Sequence, residues 1–257
     1  MNPKVFLLFG LALSTLAMTA QPVINSEDFT NAGDVFEYSQ LPQENLSDMD
    51  VLVEGGEDLI WDFSEISTEG IILTESYFPM DSTPELFSLF FGNPILSGDN
   101  FSSHALSINT LDLELPLPLQ VENGFQFYRN DEEGYFITGN AAEIEGLPLI
   151  SAYDTLDKVF SFPITYGQAE EGSFYFLTEV PGIGVVGQAG QRATVVDAWG
   201  DLITPYGTYE CLRVRTELAV TDTFYLNFTQ SGETFVRPLQ VSYSWISPEA
   251  GGVLAEA

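Results

Sequence analysis

The chain reads as short apolar and aromatic runs broken by glycine, proline, asparagine and aspartate. These runs occupy residues 59–63, 70–78, 125–129, 135–138, 159–162, 174–179, 193–199, 209–216, 224–228 and 239–246. Aromatic and β-branched residues fill them, and turn signals return about every ten positions, as strands require. No apolar stripe repeats at i, i+3, i+4 and i+7, so helices are expected to be few and short. The best helical segment is 83–91, where Ser82 or Thr83 can cap and Pro84 can take the first turn. The pattern predicts an all-β chain, an antiparallel β-sandwich or jelly-roll-like barrel.

The clearest local unit runs from Trp199 to Arg215, with its turn at Pro205-Tyr206-Gly207. In the returning strand Leu212 and Val214 share one face, while Tyr209, Cys211, Arg213 and Arg215 share the other. Cys211 then reads as a small sheet-face residue rather than a nucleophile. The pattern is weakest over 141–155. With no repeat and no Pro-, Gly- or Ser-rich linker, residues 21–257 are expected to form a single β-sandwich domain.

Residues 1–20 read as a signal peptide. Lys4 supplies the positive start, 5–13 is apolar apart from Gly10, and small residues lead to Ala20. The run is too short to span a bilayer. Cleavage after Ala20, or after Ala17, leaves a product expected to be secreted and soluble, extracellular or periplasmic. Sequons begin at Asn45, Asn100 and Asn227, but such triplets are common by chance.

Charge narrows the partners. The 257 residues carry 38 Asp and Glu against 7 Lys and Arg, a net charge of −31. Nucleic acid needs a basic face that so few cations cannot build, and anionic membrane surfaces are disfavoured for the same reason. No later segment is apolar enough to be membrane-spanning. One cysteine forms no internal disulfide, so the fold must hold by packing. A hydrophobic share of 45% argues against disorder.

Candidate chemistry is sparse. His104 is the sole histidine and no G-x-S-x-G elbow occurs, so it reads as a hydrogen-bonded structural residue. One His and one Cys cannot make the usual zinc ligand sets. Gly182-Ile-Gly184-Val-Val-Gly187 matches G-x-G-x-x-G, but a strand-like run follows it, so it reads as a flexible connection. The acid clusters Asp48/Asp50/Glu54/Glu57/Asp58 and Asp131/Glu132/Glu133 could hold calcium, the one cofactor they would suit. Their blander reading is solvated loops, with 128–135 a hairpin. Arg192, Arg213 and Arg215 offer an anion site or, better, cross-strand partners for Asp197, Glu210, Glu217 or Asp222. Trp61, Trp199, Tyr243 and Trp245 would stack sugars if exposed, although most aromatics must be core. No catalytic or cofactor-binding residue is assigned.

The stretches Trp61-Asp-Phe-Ser, Phe162-Pro-Ile-Thr-Tyr-Gly167 and Val196-Asp-Ala-Trp-Gly-Asp-Leu-Ile-Thr-Pro-Tyr-Gly-Thr-Tyr209, followed by Leu212-Arg-Val214, carry a resemblance. The chain resembles exported β-rich Bacteroidota proteins of unassigned function, many of which end in a type IX secretion sorting domain. Here 244–257 leaves no room for that domain, a departure from the group's pattern that leaves three expectations open: a truncated sequence, a periplasmic member, or export by another path. The resemblance carries no catalytic motif. The expected function is a secreted, non-enzymatic binding or structural module of the bacterial envelope or exterior, recognising a glycan or an envelope protein. The alternatives are a carbohydrate-active hydrolase using two carboxylates and a subunit of an extracellular assembly.

Overall fold

A computed structural model describes residues 21–40, 55–66, 70–108, 121–144 and 146–257. The signal segment and the acids Asp48, Asp50 and Glu54 lie outside the described residues. The strands are β1 (Val35–Gln40), β2 (Gly56–Asp62), β3 (Ile71–Pro79), β4 (His104–Ile108), β5 (Val121–Asp131), β6 (Gly134–Ile144) and β7 (Leu147–Phe160). They continue as β8 (Ala169–Val180), β9 (Gly184–Thr204), β10 (Gly207–Leu226), β11 (Ser231–Val236), β12 (Gln240–Ser247) and β13 (Gly252–Glu256), with one α-helix, α1 (Glu85–Phe91).

All thirteen strands belong to one sheet in the order β1-β3-β4-β5-β6-β7-β8-β9-β10-β12-β13, with β11 on β10 and β2 on β9. Every pairing is antiparallel except β2 with β9. The all-β, antiparallel, sandwich-like expectation is therefore what the structure shows. From β3 to β10 the strands follow one another as a meander, without the crossed connections of a jelly roll.

The sheet folds over on itself near β7 and β8, where Thr155 and Tyr175 are the one registered pair. Two walls result. Tyr128, Tyr135 and Phe160 of the first pack on Val196, Trp199, Leu212, Val214 and Ile246 of the second, and Ile24 and Phe29 join the same cluster. Leu212 and Val214 thus point inward. On the opposite face Cys211 joins Trp61, Ala198, Leu202 and Trp245 in a second, outer cluster. The alternation anticipated for this strand is the one observed.

Two runs expected as separate strands, 209–216 and 224–228, lie largely in the single 20-residue strand β10, although Asn227 and Phe228 fall in the turn after it. The weak stretch 141–155 is strand on both sides of the β6–β7 turn.

The glycine-rich segment is not a flexible connection: Gly184, Gly187 and Gly190 all lie within β9. Space explains them. A Cβ on Gly190 would sit 2.2 Å from the Phe174 ring, and one on Gly187 would sit 2.7 Å from the Phe176 carbonyl. These glycines admit a neighbouring ring and a neighbouring backbone. Because a strand continues past Gly187, the segment lacks the helix a dinucleotide fingerprint needs.

Helix α1 forms where expected, with a different start. Pro84 is its N-cap and no side chain caps it; Thr83 instead donates its hydroxyl to the Met80 carbonyl at 2.8 Å. The helix buries Phe87 and Phe91 on Ala105, Phe127 and Ala141, with Phe125 beside them, covering the outer face of β4–β6.

Gly190→Ala should lower the unfolding free energy by about 1–3 kcal/mol through overpacking against Phe174. Gly172→Ala on β8, whose Cβ meets open space, should be neutral or stabilising by up to about 1 kcal/mol. Urea unfolding of the two variants measures the difference.

Candidate functional site between the two walls

Because α1 claims Phe125 and Phe127, strand alternation turns Gln126 and Tyr128 toward the interior. Directly partnered residues share a face, so an inward row crosses the first wall: Tyr77, Leu106, Gln126, Asn140 and Ser151. The facing wall answers with Glu170, Thr194, Thr216 and Ser242. Beside it runs Val196, Val214, Ser244 and Glu256. A polar band therefore lies in the layer that sandwiches ordinarily fill with apolar side chains.

One pair of opposite charges in this band is locked. Arg192 grips Asp157 with two hydrogen bonds, 2.8 Å from Nε and 2.7 Å from Nη2. The Tyr128 hydroxyl donates to Gln126 Oε1. Asn140 Nδ2 donates to the Tyr153 hydroxyl at 3.1 Å, while Asn140 Oδ1 is buried with no partner. At the rim, Tyr77 donates to Glu75 Oε2 at 3.2 Å, and Tyr38 reaches the Val253 carbonyl across the seam between β1 and β13 at 3.4 Å.

Glu75 organises the electrostatics of this seam. Burial, then the Glu75 charge, raises the Tyr38 and Tyr128 phenols above their ordinary range. The Tyr77 phenol is raised first by burial and then by Tyr128 and Glu75. On β13 the Glu256 carboxyl is raised by loss of solvent and then by Glu75. Groups on β1, β3, β5 and β13 thus feel one carboxylate.

The structure gives each sequence candidate a place. His104 is fully buried, with Nδ1 on Ser103 Oγ at 2.9 Å and Nε2 on the Tyr135 hydroxyl at 3.1 Å. Burial lowers it to about 4, so it is neutral at pH 7, stacked on Tyr128. The Cys211 thiol is pushed up to about 12, chiefly by burial and then by Asp201, which leaves no thiolate to attack.

Arg213 pairs with Asp197 at 2.9 and 3.0 Å and Arg215 with Glu217. Arg192 turns to Asp157, an acid not anticipated, and Asp222 is taken by Arg237. Glu210 enters none of these pairs. Trp61, Trp199 and Trp245 are buried core, and Tyr243 packs half-buried on the outer cluster. Asp131 accepts from the Glu133 and Gly134 amides of the β5–β6 hairpin and pairs with Arg129. Glu57 and Asp58 lie in β2. Among the described residues no group of three or more His, Cys, Asp or Glu could hold a metal ion. Asn100 spends its side-chain nitrogen on the Thr138 and Tyr153 carbonyls, whereas Asn227 is exposed beside β11.

Two arrangements escaped the sequence. The band itself was signalled by Gln126 and Asn140, polar residues inside strands. The other is a chain from Lys158 Nζ to Ser161 Oγ at 3.0 Å and on to Glu170 Oε2 at 2.9 Å. It borders a small recess lined by Phe160, Gln168, Thr194 and Val196 among others, with room for about one water. Gln168 donates to Glu170 Oε1 at 2.6 Å and to the Ser161 carbonyl at 3.1 Å. These bonds tie the corner between β7 and β8 together.

No family model matches the chain, and neither the curated proteins nor the solved structures compared with it give a match. Among the described residues no helix is long and apolar enough to cross a membrane.

Two measurements probe the interior. Asp157→Ala strands the Arg192 charge and should cost roughly 3–5 kcal/mol, while the double variant Asp157→Leu, Arg192→Met should recover most of that in chemical denaturation. For His104, the unfolded imidazole takes its proton below about pH 6.5 and the folded one only near pH 4. Its contribution is therefore complete above pH 6.5 and falls away as pH drops toward 4, by on the order of 3 kcal/mol. Stability–pH curves of the parent chain and His104→Gln should diverge over that interval.

Proposed function

We propose that the chain is an exported, non-enzymatic recognition module of the bacterial envelope or exterior, binding a glycan or an envelope protein. The observation that carries this reading is the polar band: hydrogen-bonding groups facing one another between two walls, with the Arg192 charge cancelled by Asp157. Such convergence of polar groups on rigid strands is what binding sites are built from. The familiar nucleophile candidates point the same way, since His104 is neutral and bonded on both ring nitrogens and Cys211 is a buried thiol. Export rests on the character of residues 1–20 and on the resemblance to exported Bacteroidota proteins.

One observation favours a second reading. Glu75 and Glu256 are carboxylates on different strands, close enough for one to raise the other, and hydrolysis by paired acids needs two such groups in unlike environments. The assembly alternative draws on β11, exposed along its whole length and paired on one side to β10, which could accept a strand.

The deciding experiment is binding of the chain from Gln21 onward to a broad polysaccharide panel, with calcium and with chelator, followed by analysis of the supernatant for released sugar. Binding without release is expected. Released sugar would replace the recognition reading with the hydrolase. Silence across the panel would favour assembly, to be sought by crosslinking in the native envelope.

A further inference from the structure

We infer that the outer face of β8 to β11 docks a neutral polysaccharide; this rests on the recognition role proposed above and places a contact surface outside the walls. Phe174 and Phe176 of β8 pack inward with Tyr153 and Val220, so alternation turns Tyr175 and Leu177 outward. Registered partners carry that outer face across the sheet. One row runs through Thr155, Tyr175, Ala189, Thr221 and Val236. The next runs through Leu177, Gly187, Thr223 and Thr234, and on the other side lie Ser173, Gln191 and Ala219. None of these residues carries a charge, although the chain has 38 Asp and Glu. Acids return in the rows beyond, at Glu179 on one side and at Glu171 and Glu217 on the other. Tyr175, Leu177, Ala189, Thr223, Thr234 and Val236 are all exposed, so nothing among the described residues covers this face.

Charge, area and composition select the occupant. On a chain of net charge −31, an uncharged face offers a charged ligand no counter-charge, and the acids at its borders repel an anionic polymer. A second copy of the chain would bring its own acidic borders against these. At ordinary strand and residue spacings the rows span about 20 Å each way, a footprint on the order of 400 Å². A stable protein interface takes about 800 Å² from each partner, whereas patches of a few hundred Å² are common as functional contact surfaces. Composition points the same way. The threonines, with Leu177 and Val236, are types that protein hot spots under-represent. A sugar polymer matches the face instead. The apolar sides of its rings sit on Tyr175 and on Tyr225, exposed on the same face of β10 two residues beyond Thr223. Its hydroxyls both donate and accept, as the threonine hydroxyls and the Gln191 amide do. Gly187 and Ala189 keep the floor along β9 low, so an extended chain can lie on it. Each sugar is held from one side, so affinity accumulates along a polymer rather than in a single ring.

The test is co-sedimentation of the full chain from Gln21 onward with insoluble cellulose, chitin, β-1,3-glucan and xylan, with polygalacturonate beads as the anionic counterpart. At least one neutral polymer should bind, and Tyr175→Ala and Tyr225→Ala should each weaken it tenfold or more. Ala189→Gln keeps both rings but raises a long side chain from the floor, and should weaken binding as strongly. Tyr206→Ala, at the exposed β9–β10 turn away from this face, should leave it unchanged. Binding should hold between about 0.05 and 0.5 M salt, because no ion pair takes part. Unfolding curves check that each variant is folded, and should a tyrosine variant lose stability, Ala189→Gln carries the comparison. Full-strength binding by all three face variants would overturn this surface and leave the recognition role standing. Preference for polygalacturonate, or loss of binding in salt, would overturn the neutral ligand class. A dimer in sedimentation velocity that Ala189→Gln dissolves would give the face to a second copy instead. Failure of every polymer here and in the wider panel would overturn both the surface and the role.

Discussion

The packing of α1 on the outer face of β4–β6 decides what the interior can be. Phe91 stacks on Phe127 with ring centroids 4.0 Å apart, and Phe87 meets the edges of Phe125 and Phe127. Once those phenylalanines are committed to the helix, the period of two along β5 sends Gln126 and Tyr128 inward. A shift of one residue would reverse both sets and bury the apolar row between the walls. The polar band is thus the geometric complement of a seven-residue helix that, by its own propensity, would barely persist in water.

A sandwich with polar groups in its middle layer must find its cohesion elsewhere. Part comes from the ends of the layer, where Ile24, Phe29, Trp199 and Leu212 pack on one side and Ile144, Leu149, Val180 and Val186 on another. Another inner cluster joins Tyr153, Phe174, Phe176 and Val220, and two more lie outside the sandwich, around α1 and around Trp61, Leu202, Cys211 and Trp245. Arg213 is fully buried there, held by Asp197 and lying near the rings of Tyr243 and Trp61, at 5.1 and 5.8 Å. Asp197 is the extra residue of a bulge, opposed to neither Arg213 nor Val214 in the register with β10. Local irregularity here places a carboxylate under a guanidinium.

The sequence made the strands legible because they alternate and are punctuated by Gly, Pro and Asn, and it placed Leu212 and Cys211 on their observed faces. Alternation reports two faces but not which is inner, and in β5 the apolar face is the outer one. Nor did the Gly182–Gly187 segment announce itself as strand, because its cause is a ring on the neighbouring strand, a long-range fact. The ion pairs were legible as a class and only partly as partners. Arg213 found Asp197 on the adjacent strand, whereas Arg192 reached Asp157 on β7, with β8 lying between them in the sheet order.

The arrangement of cations gives the acidity a consequence. Each of the six described cations lies beside a different carboxylate: Arg129 on Asp131, Lys158 on Glu170, Arg192 on Asp157, Arg213 on Asp197, Arg215 on Glu217 and Arg237 on Asp222. With net charge −31, the chain keeps a large excess of acids over the cations that could pair with them. Such a surface repels polyanions and like-charged copies of itself at long range. Neutral partners are indifferent to that field. The layer between the walls differs from that surface: there Arg192 and Asp157 neutralise each other, and hydrogen-bonding groups of both walls face one another.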